Sequence, residues 1–370
     1  MLPNQNCYAF KNQSLNLLTI KYLFSLGINM RSFIMLAAFI SVIQTGFIQL
    51  AVAADQSKIL RAMQSVVMVR GYNASGGLSY GSGVMVGENK VMSNCHVFRS
   101  TKQPWVSRGE DTYQIVSVQA DRWHDLCLLT TYGLPFTAMP LGKGNELKRG
   151  QDMLSIGHSN GVPAPLTSQG TVKSTYEFEG GRIIRSTAQF RMGASGSGIF
   201  DTEGNLLGIN TFKTPGKPAY FYSLPIEWLA NVEKLPVETT FPIDGKAFWE
   251  ADDDKKPFFM QIAIPEINKD WPMLAQVAQK WIDADDKNSD AWYELGVAQE
   301  NLHKTDEAKN AYQQSVVLDA SNTDSLLRLG VIAQSTGDKA AMHKVSLAIA
   351  NVDKDLAQQY NEMVGCGSEC

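Results

Sequence analysis

Eight residues, Gly193 to Phe200 (G-A-S-G-S-G-I-F), place a serine inside a glycine-rich turn that runs into an apolar strand. Ser195 has glycine two positions before it and one after it, which frees the backbone to aim the Gly193 and Ser195 N–H groups at one point. Donors converging in that way stabilise the oxyanion that forms when a hydroxyl adds to a carbonyl. A serine hydroxyl is inert at neutral pH, so this chemistry also needs an imidazole base and a carboxylate to orient it. Of the five histidines, His96 ends G-S-G-V-M-V-G-E-N-K-V-M-S-N-C-H, and Asp125 opens the apolar run D-L-C-L-L. His96, Asp125 and Ser195 are the types needed for acyl transfer, with Gly193 and Ser195 supplying the oxyanion hole. Ser197 lacks the glycine spacing of Ser195 and reads as a small packing residue. His124 adjoins Asp125 without an assigned role, and His158, His303 and His343 have no metal-ligand spacing. The chemistry calls for no cofactor and no metal.

The elements that must position these groups are short apolar strands. Two of them, joined by a Gly-Glu-Asn-Lys turn, precede His96, one follows Asp125 and one follows Ser195. The order His, Asp, Ser is that of chymotrypsin-type enzymes rather than of subtilisins or α/β-hydrolases. From Gly81 to Pro225 the chain resembles the trypsin-like serine peptidases, and within them the bacterial HtrA type. The resemblance rests on G-S-G-V-M-V before the histidine, on Leu141 to Gly157 as a passage between barrels, and on L-L-G-I-N-T-F and F-Y-S-L-P-I after the nucleophile. It implies an all-β double β-barrel with the cleft between two six-stranded barrels, and peptide-bond hydrolysis as the activity. Ala194 stands where animal trypsins carry the aspartate that pairs with a new N-terminus, and no I-V-G-G start is present, so zymogen cleavage is not expected. The resemblance places Gln189 near the base of the primary specificity pocket, where an aspartate would select Arg or Lys. It gives Thr211, Phe212 and Lys213 as the strand that pairs with substrate, with Lys213 where trypsins use glycine.

The first 53 residues contain Lys11, Lys21 and Arg31 and no acid, and Phe33 to Ala53 is strongly apolar, with Ala51 and Ala53 forming an A-x-A site. This reads as a signal peptide (1–53) cleaved after Ala53, with Met30 as a candidate start, and implies a periplasmic or secreted protein. An uncleaved inner-membrane anchor is the alternative. Cleavage leaves 30 basic against 37 acidic residues, a charge balance that disfavours nucleic acid as a partner. Four cysteines remain, an even number suited to an oxidising compartment. Cys95 precedes His96 and Cys127 follows Asp125 by two, so a formed triad brings both segments together and a Cys95–Cys127 disulfide is expected, two buried thiols being the alternative. Cys366 and Cys370 are candidates for a second, local clip.

Past residue 235 the pattern changes. The peptidase-like part is assigned to 54–235, and 236–265, with A-D-D-D-K-K, reads as a solvated linker. Residues 266–370 have amphipathic helical spacing, and Leu295-Gly296 recurs as Leu329-Gly330 after 34 residues. Trp292, Leu295, Gly296, Ala308 and Tyr312 fit the large and small positions of a tetratricopeptide repeat, which the segment resembles. Two units, 289–322 and 323–356, are flanked by a helix from Trp271 to Ala284 and a capping helix from Asp355 to Val364. A partner groove could be lined by Tyr293, Val297 and Glu300. The PDZ domain usual in the HtrA type is not apparent. The combined reading is an exported serine endopeptidase acting on a protein or peptide substrate, with all-α repeats for docking. The alternatives are a catalytically silent protease-fold scaffold and an interaction protein acting through its repeats.

Overall fold

The computed structural model describes residues 56–135, 137–214 and 219–365. The apolar segment ending at Ala53, its cleavage site, and Cys366 and Cys370 lie outside the described residues. Among those described, no helix is long and apolar enough to cross a membrane.

Six antiparallel strands form the first barrel: β1 (Val66–Tyr72), β2 (Leu78–Gly87), β3 (Lys90–Ser93), β4 (Trp105–Arg108), β5 (Asp111–Asp121) and β6 (Leu126–Thr131). They pair in the order β5-β4-β1-β2-β3-β6, and pairing of β5 with β6 closes the ring. Period-2 alternation drives this: Val67 and Val69 join Met85, Val91, Val106, Val118 and Leu129 in one cluster, whereas their neighbour Val66 packs in another. The second barrel closes from β7 (Asp152–Gly157), β8 (Leu166–Phe178), β9 (Gly181–Ser186), β10 (Gly198–Phe200), β11 (Leu206–Lys213) and β12 (Phe221–Pro225). Met153, Val172, Ile184, Ile199 and Leu207 form one of its clusters. Tyr176, Ile183, Tyr222 and Leu224 belong to another that continues through Trp228, Phe248 and Phe259 to Trp281, Ala298 and Tyr312 of the helical region. One apolar core therefore serves barrel and helices together.

The expectation of a solvated linker at 236–265 is not met. Val237–Glu238 (β13) pairs with β5, and Ile243, Phe248, Phe259 and Ile262 are buried. Burial of such side chains contributes about 1.5–3 kcal/mol each, enough to hold the segment down despite its charges. The acids of A-D-D-D-K-K stay outside: Asp252 and Asp253 are exposed and pair locally with Lys255 and Lys256.

Six helices follow: α1 (Trp271–Ala284), α2 (Ser289–Asn301), α3 (Thr305–Leu318), α4 (Thr323–Thr336), α5 (Lys339–Ala350) and α6 (Lys354–Val364). Asp270, Asn288, Asn322, Asp338 and Asp353 cap five of them by accepting first-turn amides. The glycine of each unit makes room for a tyrosine: a Cβ on Gly296 would lie 2.5 Å from the Tyr312 ring, and one on Gly330 would lie 2.4 Å from that of Tyr360. The second tyrosine comes from α6 rather than α5, because Ser346 occupies the position equivalent to Tyr312.

The helices are fastened to the second barrel by buried charge. Arg149, just before β7, donates to Asp290 of α2 and to Asp319, each at 2.7 Å. Asp290 also accepts from Tyr176 at 2.8 Å and from Ser174, both on β8. Burial alone would raise the Asp290 pKa, but Arg149 and Arg185, with the Ser174 hydroxyl, hold it well below the usual carboxylate range. Asp290→Ala should cost about 3–5 kcal/mol at neutral pH, measured by denaturant unfolding, because it removes one of the two carboxylates paired with buried Arg149 and leaves the buried Tyr176 hydroxyl without its acceptor. With the folded-state pKa depressed, this stabilisation is present above the unfolded value and lost as pH falls below about 4 toward the folded pKa. The stability gap between wild type and Asp290→Asn should therefore narrow on acidification, and a gap independent of pH would contradict the ion-pair role.

Candidate active site

His96 sits in a single 3-10 turn, Cys95–Phe98, immediately after β3, and Asp125 stands at the mouth of β6 with φ +56°. The carboxylate of Asp125 is fully buried, and each of its oxygens has a partner: Oδ1 accepts from the His96 backbone N–H at 2.8 Å and Oδ2 from His96 Nδ1 at 2.6 Å. A proton held on Nδ1 leaves the Nε2 lone pair free to act as a base. Cys95 and Cys127 are disulfide-bonded, with Cα atoms 5.0 Å apart, which links the residue before the histidine to β6. Asn94, fully buried, adds a polar stitch by donating to the Asp125 carbonyl and to Thr211 Oγ1, each at 2.9 Å.

Ser195 belongs to the second barrel, in the turn before β10. Gly193 and Gly196 carry φ of +92° and +85°, conformations open to glycine. Gly196 is also sterically obligatory, since a Cβ there would lie 2.2 Å from the Ser82 carbonyl and 3.0 Å from the Asn94 amide nitrogen. That close approach sets the serine turn against the turn bearing His96. The Met192 carbonyl accepts from Asn160 N–H at 2.6 Å, which fixes the peptide leading into Gly193. Among the described residues neither the Gly193 nor the Ser195 N–H has an acceptor, so both are available to a ligand oxygen. Ser197, by contrast, is fully buried, and its Oγ accepts from Asn210 Nδ2 at 2.9 Å.

Ser82 couples the two barrels. From β2 its N–H donates to the Ser195 carbonyl at 2.8 Å and its Oγ to the Gly193 carbonyl at 2.8 Å, while Oγ accepts from His158 N–H at 3.0 Å. Neither Ser82, Asn94 nor Asn160 was assigned a role from sequence. The G-S-G triplet marks Ser82 as unusual, but nothing local indicates a partner more than a hundred residues away.

Of the expected substrate-binding residues, Thr211 is buried against Asn94 and Phe212 stacks on Tyr222 with ring centres 4.9 Å apart. Lys213 is exposed at the end of β11, and Gln189 is exposed with its N–H on Ser168 Oγ at 3.1 Å. His124 is packed 4.1 Å from the Trp228 ring, with Nδ1 2.7 Å from Asp121. Burial opposes its protonation, but Asp121 and Glu179 raise its pKa above the ordinary value.

The family model described as "Trypsin-like peptidase domain" matches residues 81–209. Over those residues the chain is similar to trypsin-like peptidase domains. A "Tetratricopeptide repeat" model matches 277–310, from within α1 to the first part of α3, so the match to a repeat follows the match to the peptidase domain. The chain is 27% identical over 207 residues to "Probable periplasmic serine endoprotease DegP-like" of Ectopseudomonas mendocina, covering 52% of this chain and 40% of that protein. It is 26% identical over 199 residues to "Anti-sigma-I factor RsgI9" of Acetivibrio thermocellus, covering 53% of this chain and 26% of that one. The chain thus spans less than half the length of either curated relative. Among solved structures, "HtrA-type protease AlgW with tripeptide" is similar at 26% identity and TM-score 0.43, covering 49% of this chain and 62% of that one. The Rv3671c protease of M. tuberculosis in its active form is similar at 20% identity and TM-score 0.45, covering 51% and 88%.

The trypsin-like domain should be sensitive to Ser82. Ser82→Ala leaves the Gly193 carbonyl and the His158 amide without a buried partner, at a cost of about 1–3 kcal/mol. A lower thermal midpoint for the variant is expected, and an unchanged one would show that these bonds do not hold the serine turn.

Proposed function

We propose that the chain is an exported serine endopeptidase with His96, Asp125 and Ser195 as its catalytic triad. The observation that carries this reading is the 2.6 Å His96–Asp125 contact, in which a buried carboxylate engages both the ring and the backbone of one histidine. In the proposed reaction Ser195 Oγ bonds to the substrate carbonyl carbon as its proton passes to His96 Nε2. The oxyanion is received by the Gly193 and Ser195 amides, and Asp125 stabilises the imidazolium. Collapse breaks the peptide C–N bond, His96 gives the proton to the leaving amine, and water releases the acyl group by the same steps. No cofactor enters this chemistry. Export is supported by the apolar segment Phe33–Ala53, by the disulfide, and by the periplasmic relative. The repeats are proposed to dock a protein partner or substrate, from a fixed position set by Arg149 and Asp290.

A fluorophosphonate serine probe tests the triad directly. The purified chain should be labelled, Ser197→Ala should keep the label, and Ser195→Ala should lose it. Asp125→Asn should slow labelling by about four orders of magnitude, because the imidazole loses its tautomer control. A folded chain that never labels would overturn the proposal.

A further inference from the structure

The segment between barrel and repeats reaches the candidate active site. Trp249 stands edge-on to the His96 ring, at 5.7 Å between centres and 90° between planes. On another side is Phe212, whose ring centre is 5.8 Å away. Trp249 therefore occupies the corner between the imidazole and the strand Thr211–Lys213. It is fixed there from both sides in sequence. Phe248 is fully buried, packs on Phe178 at 4.7 Å, and donates its N–H to the Trp123 carbonyl at 2.9 Å. Glu250 accepts two hydrogen bonds from Arg99, at 2.6 and 2.5 Å, and a third from the Ala247 N–H at 2.9 Å. Arg99 ends the same turn that carries His96, and its guanidinium lies 5.9 Å from the Trp249 ring centre. The indole is thus tied to the histidine turn itself, which makes it a wall rather than a lid.

Beyond the wall lies a cleft of about 560 Å³, whose apolar lining includes Phe212, Met260, Ile264, Met273 and Val277. Met273 and Val277 belong to α1, so the helical region contributes one side of it. Ile264 and Met273 are about half exposed, leaving apolar surface open at the cleft. Side chains of an extended peptide alternate in direction, so the second and fourth residues before a cut point the same way. A peptide lying along Thr211–Lys213 with its scissile carbonyl at Ser195 would turn its second residue toward the imidazole and Trp249, and its fourth toward this cleft.

We propose, resting on the serine endopeptidase reading, that Trp249 is a specificity-determining residue. It restricts the second residue before the cut to Gly, Ala or Ser and directs an apolar fourth residue into the cleft shared with α1. The substrate class is an extended peptide of the pattern apolar, any, small, any, cut after the last. The indole supplies bulk at one position and the connector and α1 supply the apolar surface at the other.

The test uses the full chain with fluorogenic tetrapeptides varied at the second and fourth positions, alongside the fluorophosphonate probe. Wild type should prefer Ala over Leu at the second position by about tenfold or more in kcat/KM, since steric rejection in a formed pocket is of that order. Trp249→Ala should erase most of that ratio, with Trp249→Phe intermediate as a variant that keeps an aromatic ring against Phe212. Met273→Glu, at an exposed helix position, should reverse the apolar preference at the fourth position and leave the second-position ratio as in wild type. A Trp249→Ala or Trp249→Phe enzyme that takes the probe yet keeps the wild-type second-position ratio would overturn the wall. A wild-type chain that is folded but neither takes the probe nor cleaves any peptide would overturn the endopeptidase reading instead, and the wall with it.

Discussion

A carboxyl group removed from water is tolerable only where its oxygens are engaged, and Asp125 imposes that condition on the first barrel. Its two oxygens are taken by the backbone and the ring of His96, and its carbonyl by Asn94 and by the Cys95 amide. Meeting those demands requires the turn after β3 and the mouth of β6 to meet in one register, with Ser93 opposite Cys127. The disulfide joins the same two segments. Asn94 then carries the constraint across to the second barrel through Thr211, so the Asp125 main chain is linked through one side chain to the strand expected to receive substrate.

The same physics governs the helical junction with a different outcome. Asp290 is buried but surrounded by Arg149, Arg185, Ser174 and Tyr176, and its pKa is held down. Glu294, one turn further along α2, is also buried, and desolvation with Glu266 nearby drives its pKa well above the ordinary range. Within a single interface the surroundings therefore push the two carboxyl groups in opposite directions, Asp290 toward the anion and Glu294 away from it. Such an arrangement specifies one docking geometry for the helices, because any shift would leave a charge without its partner. It also accounts for a repeat region that shares a core with the barrel rather than trailing from it.

The segment 236–265 gains its importance from what lies on either side. Its acidic surface made it look solvated, yet Phe248 and Phe259 are spaced to reach the core between barrel and helices. Anchoring Phe248 brings Trp249 to His96 as a matter of chain continuity. A conventional connector would leave the corner beside the imidazole open, and here it is filled by an indole braced through Arg99 and Glu250.

Much of the protein was legible in residue order. Glycines flanking Ser195 and the recurrence of Leu-Gly after 34 residues are local patterns that marked the serine turn and the helical repeats, while the double barrel was expected from the resemblance of Gly81 to Pro225 to trypsin-like peptidases. His96 and Asp125 could be singled out by type and by the strands they adjoin, and the pairing of Cys95 with Cys127 was expected from that. What stayed hidden depends on contacts between segments far apart in the chain. Ser82 bracing Gly193, Asn160 holding the Met192 carbonyl, Tyr360 filling the space over Gly330, and Trp249 standing against His96 carry no local periodicity. Sequence by itself determined which groups and elements the chain possesses, because backbone conformation and amphipathic patterning are set by near neighbours. Only the tertiary structure decided which polar atoms are paired, which amides are left free and which side chain borders the cleft, because those follow from how distant surfaces close over one another.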